Sequence, residues 1–170
     1  FHLNNHYVSV LGDGFVVASP NNPSYDKVLV DRNKITLDKP YAKIQVGLPY
    51  LSDLETLDID WPQSETLSDK KMIVNSVTIN MEDTRGVWAG SRPPADDLVD
   101  PVENLYELKI RNEENYDDPV ALFTGKENIT LNSEWNSNGR IFIRQVDPLP
   151  IAVLSVSPGG KFPFKKMGES

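Results

Sequence analysis

Two histidines, His2 and His6, are the only imidazoles in the chain. Their four-residue spacing puts two ligands on one face of a helix, but no Glu of a zinc-protease motif lies between them and a β pattern follows at once. Both also sit at the extreme N-terminus, where chains fray, so neither a Ser-His-Asp triad nor a metal site is expected there. Carboxylates are plentiful, and two of them about 5 to 9 Å apart can hydrolyse a glycoside. Asp58, Asp60, Asp96, Asp97, Asp117 and Asp118 stand in turn-like or strand-edge contexts, however, where solvated charge is the ordinary explanation. "LDID" and "NYDDP" offer oxygen ligands without the spaced loop that calcium selects. Trp61, Trp88 and Trp135 could stack sugars, with core or interface anchoring as the competing use. There is no cysteine and no Gly-rich phosphate loop after a strand. With no nucleophile, imidazole pair, metal cluster or cofactor motif, the chain reads as a binding and structural module and not as an enzyme.

The elements that must position these residues are strands. "NSVTINMED" sets Val77, Ile79 and Met81 against Thr78, Asn80 and Glu82, and "YELKIRN" sets Tyr106, Leu108 and Ile110 against Glu107, Lys109 and Arg111. In "AKIQVGL", Ala42, Ile44, Val46 and Leu48 alternate with Lys43, Gln45 and Gly47, giving one apolar and one wet face. Further short strands are expected at "HYVSV", "GFVVA", "KVLVD", "KITL", "VALFTG", "NITL", "GRIFIRQV" and "AVLSVS". "GDG" at 12–14 and Asn138-Gly139 carry hairpin-turn signals. After Pro49, Leu51, Leu54 and Leu57 recur every third residue, which fits neither a strict strand nor a good helix.

These strands, with 13 prolines, predict an all-β antiparallel sandwich or barrel-like fold with helix under about 15%. A composition shift near Pro49 divides it into a small N-terminal β unit (1–48), a larger β domain (49–157) and a terminal arm (158–170). Residues 90–104, "GSRPPADDLVDPVEN", are too long for a hairpin turn and read as a functional excursion, a mobile connection or an ordinary surface loop.

At 170 residues the chain can bury about 70% of its unfolded surface, enough to fold without disulfides. No apolar run approaches the roughly 18 residues of a membrane helix, so no membrane span is expected. The chain opens on Phe1, not Met, and reads as a fragment of something longer. Its net charge of -8 disfavours tight nucleic-acid binding, which depends on Lys and Arg releasing counterions. One local exception is "KFPFKKMG", where Lys161, Lys165 and Lys166 interleave with Phe162 and Phe164 in a manner suited to single strands. The other reading of that stretch is an arm that packs on a neighbouring subunit or stays disordered.

The segment "KIQVGLPYLSDLETLDID" resembles a signature of the tail tubular protein B, or nozzle protein, family of short-tailed phages. The ordered series "VTINMEDTRGVWAG", "LYELKIRNEENYDDPVALFTG" and "EWNSNGRIFIRQVDPLPIAVLSVSP" continues the resemblance. It runs from "VSVLGDGFVV" to "LSVSP" and corresponds to the C-terminal portion of such proteins. "DWPQSETLSDKK", the 90–104 loop and "GGKFPFKKMGES" match least well. The resemblance implies a virion protein of the phage tail, one copy of a homo-oligomeric ring that contacts other tail proteins and lets DNA pass without tight binding. A glycan-binding or glycan-degrading tail component is the alternative.

In that setting Pro49 ends one ladder, so the chain crosses between sheets there, with Gly47 permitting a close backbone approach and Tyr50 anchoring the junction. A closed ring needs heterologous contacts. Arg85, Trp88, Arg92, Trp135 and Arg140 are the candidate interface residues, along with Tyr50, because Trp and Arg are enriched among interface anchors. Trp88 and Trp135 as plain core residues is the competing reading.

Overall fold

A computed structural model describes residues 2–59, 71–110, 121–132 and 139–161. Eleven strands and no helix occur among them, the all-β antiparallel architecture expected. β1 (Tyr7–Gly12), β2 (Phe15–Ala18), β3 (Val28–Leu29) and β4 (Ile44–Gly47) form an N-terminal sheet in which β1 pairs with each of the others. β5 (Ser52–Glu55), β7 (Val87–Gly90), β8 (Tyr106–Glu107) and β10 (Phe142–Gln145) make a second sheet in the order β5-β10-β7-β8. β6 (Ile73–Thr84), flanked by β9 (Phe123–Thr130) and β11 (Val153–Lys161), makes the third. Every named strand pair is antiparallel, and no sheet closes into a barrel among the described residues.

The alternation in β6 does what its spacing predicts: Val77, Ile79 and Met81 are fully buried. They meet Val87, Ala89, Ile141 and Ile143 from the second sheet in one core, so the second and third sheets form a sandwich. A separate small core of Val8, Val10, Ala18 and Val30 serves the N-terminal sheet. The β1–β2 hairpin turns on Asp13-Gly14, both at positive φ (52° and 88°), as a two-residue type I′ loop requires. Asp13 does more than turn the chain. Its carboxylate accepts from the backbone N–H of Ala42 (2.9 Å) and Lys43 (2.7 Å), fixing the entry to β4.

Several expectations are corrected. "KITL" is not a strand; Lys34 makes one isolated bridge to Asp31, and Ile35 and Leu37 pack from irregular chain onto the N-terminal core. "VALFTG" and "NITL" are one strand, β9, bent where Gly125 faces Met81 beside a register shift. Among the described residues of "YELKIRN" only Tyr106–Glu107 form a strand, and Tyr106 is exposed while Leu108 and Ile110 are buried. The leucine-spaced segment resolves as the four-residue strand β5 followed by irregular chain. Between β4 and β5 the chain does leave one sheet and enter another across Leu48-Pro49-Tyr50-Leu51. Gly47 is not there for close approach, since nothing lies within 4 Å of where its Cβ would be. Asn138 lies outside the described residues.

Candidate functional site

The stretch from β4 through β5 leaves a run of large apolar side chains in solvent. Ile44, Val46, Leu48, Tyr50, Leu54 and Leu57 are all exposed. Among the described residues β4 pairs only with β1, which leaves its other edge open there. The register sets Val46 opposite the buried Val10, and Gln45 and Gly47 opposite Leu11 and Ser9 on the other face. That second face is the floor of a groove of about 380 Å³, walled by Leu48, Tyr50 and the Pro148-Leu149-Pro150 turn. The bare Gly47 keeps the floor low.

A second built feature centres on Arg144, which sequence reasoning missed. Its guanidinium is buried and spends its donors on both oxygens of Asp53 (2.7 Å each), on Asp97, and on the Pro101 carbonyl (2.8 Å). It also lies 5.1 Å from the Phe142 ring centroid. The Asp53 carboxylate above all, then Asp97, pushes the Arg144 pKa up against the opposing effect of burial, so it is a permanent cation. Asp53 sits directly across the ladder from Arg144, but Asp97 belongs to the 90–104 loop. Arg144 therefore clamps that loop onto the outer face of the second sheet. Leu105 completes the cover, packing so close over Gly90 that a Cβ there would come within 2.7 Å of it. The loop is thus tied to the second sheet at Asp97, Pro101 and Leu105.

Clamped in this way, the loop holds Leu98 and Val99 almost entirely in solvent, 97% and 82% exposed. Asp96 braces the tip by accepting from the N–H of Leu98 at its carboxylate (2.9 Å) and from that of Asp100 at its carbonyl (3.1 Å). Asp100 in turn accepts from Val102 N–H (3.1 Å).

A third feature joins the N-terminal sheet to the sandwich. Both oxygens of the buried Asp147 accept from Asn22 Nδ2 (3.0 and 2.9 Å), and Ser19 Oγ donates to the Val146 carbonyl (3.2 Å). Burial pushes the Asp147 carboxyl above its ordinary range, only partly offset by Ser19 and Asn22. A pocket of about 260 Å³ opens beside it, lined by Tyr25, Arg85, Glu107 and Lys109 among others. Burial, then Asp147 and Glu107, raise the Tyr25 pKa, with Arg85 acting the other way.

The residues singled out from sequence do not converge. Tyr50 walls the groove, its ring more than half exposed instead of packed. Arg85 lines the junction pocket and donates to Ala121 O (3.0 Å). Trp88 is half-buried in β7 between Arg144 and Glu107, its Nε1 without a hydrogen-bond partner among the described residues. Arg92 is exposed just past β7. Arg140 pairs with Asp58 and Glu55, Asp58 first in raising its pKa. Trp135, like Trp61, Asp60, Asp117, Asp118 and the arm from Phe162, lies outside the described residues. Asp58 and Asp97, expected as solvated charge, are half exposed and also pair with Arg140 and Arg144.

No family model and no curated protein matches the sequence. Among the described residues there is no cluster of metal-ligating side chains and no helix long and apolar enough to cross a membrane.

Signals for the missed residues were present. "RIFIRQV" is apolar at both parities, the pattern of a strand covered on both faces, and an arginine inside such a strand must be buried with partners.

Proposed function

We propose that this chain is a structural module of the tail of a short-tailed phage, one copy in a nozzle ring through which DNA passes, and that it acts by contact and not by catalysis. One observation carries the reading: the stretch that most resembles the nozzle family, "KIQVGLPYLSDLETLDID", is also the stretch that leaves the most large apolar side chains in solvent. An apolar surface held on an open strand edge, without a chemical group in it, suits a subunit contact. The acidic balance of the chain suits a conduit that DNA slides past. Antibody against this chain should decorate the distal end of the tail on particles released from the infected host. Decoration elsewhere, or none, overturns the reading. A gel shift at low salt should show no retained DNA.

The junction pocket favours a second reading, in which Glu107 and Asp147 face a glycan. Release of reducing sugar from host polysaccharide, lost in Glu107→Gln, would establish it in place of the first.

A further inference from the structure

The geometry points to a heterologous contact between copies of this chain in which the Leu98-Val99 tip of one enters the Leu48-Tyr50-Pro150 groove of the next. The inference rests on the ring reading and names the surfaces that reading requires.

A contact that propagates around a ring joins two unlike patches of the same chain. The described residues carry such a pair. The tip is an exposed apolar pair, and the groove is a slot of about 380 Å³ with mostly apolar walls over a floor that includes Ser9 and Gln45, with room for two branched aliphatic side chains. The knob is preorganised. Arg144 holds its base through Asp97 and Pro101, and Asp96 and Asp100 hold its turn, so little conformational freedom is lost when it docks.

Charge selects the groove as its receptor. The tip stands among Asp96, Asp97 and Asp100, on a chain whose net charge is -8, so most of a second copy's surface repels it. The groove lining contains no carboxylate, so nothing in it repels the tip. Gly47 fits the same picture. The strand has space for a side chain at this position and does not need glycine for its own sake, and any side chain here would rise into the slot.

The chain has no cysteine, which makes the test direct. One copy carries Leu98→Cys and another Leu48→Cys, and the two are mixed and mildly oxidised. Docking predicts a disulfide-linked heterodimer at least tenfold in excess of either homodimer, where random collision would give a statistical mixture. A chain with both cysteines should give a ladder of multimers. Adding Gly47→Leu to the groove copy puts a side chain into the slot from a position where a Cβ meets nothing within 4 Å, and should cut heterodimer yield at least fivefold while its unfolding midpoint stays in place. A statistical mixture, or a yield indifferent to Gly47→Leu, overturns the inference. Cross-linking that succeeds with no label on phage tails would overturn the nozzle reading alone. Tail labelling without cross-linking would overturn only this contact.

Discussion

β4 and β10 are both four residues long, and hydrophobicity ranks them the wrong way round. Ile44-Gln45-Val46-Gly47 is a half-apolar strand with every residue exposed, whereas Phe142-Ile143-Arg144-Gln145 contains an arginine and a glutamine and is buried throughout. The difference is position in the sheet. β10 lies between β5 and β7 with the sandwich core on one face and the clamped loop on the other, while β4 ends its sheet, with no strand on its open side among the described residues. Apolar content records what a strand is able to bury; its neighbours decide what it does bury.

The strongest way to break the contrast is Arg144→Met. Removing the cation from β10 leaves Asp53 and Asp97 without their partner, and breaking a buried pair costs several kcal/mol. Here the expected loss is about 3 kcal/mol, the low end, because side chains 39% and 49% exposed can take up water again. Urea unfolding measures it, and hydrogen exchange should quicken across 96–103. Gln145→Leu comes next. Its Nε2 serves the carbonyls of Arg85 (2.7 Å) and Pro150 (3.2 Å), and orphaning them should cost about 1 to 2 kcal/mol in the same assay.

Asp147, just past β10, sharpens the contrast through pH. Its folded pKa is raised above the ordinary carboxylate value near 3.9, so between the two values the native state holds a proton that the unfolded chain has released. Stability from this group is therefore lost as pH rises through that window. Asp147→Asn should lack the downward step, while costing about 1 kcal/mol for the altered bond to Asn22. Denaturant melts at a series of pH values above 4 compare the two. The smallest effect is expected in β4, where Val46→Thr should shift monomer stability by less than about 0.5 kcal/mol, as surface substitutions do.

The same contrast shows what sequence makes legible. The period-2 pattern of β6, the Asp13-Gly14 hairpin and the crossing at Pro49 are local signals, each set by residues adjacent in the chain. The strand around Arg144 signals its burial, but its partners Asp53 and Asp97 lie 91 and 47 positions away and the Asn22–Asp147 bond spans 125, distances across which no spacing rule reaches. The exposed face of β4 escaped notice for a related reason: alternation reports that a strand has two faces, and says nothing about whether a third layer arrives to cover one.

The Arg144 clamp also sets an order of events during synthesis. Asp53 leaves the ribosome first, Asp97 follows, and both wait as like charges until Arg144 emerges 91 residues after the first. Contacts of such separation form late in folding, since loop closure must be met before they reward it. Until then the Leu98-Val99 tip has no rigid base. On the proposed contact, a nascent chain thus lacks the preformed knob that would dock on its neighbours on a polysome, and the surface is completed only when nearly all of the described fold is in place.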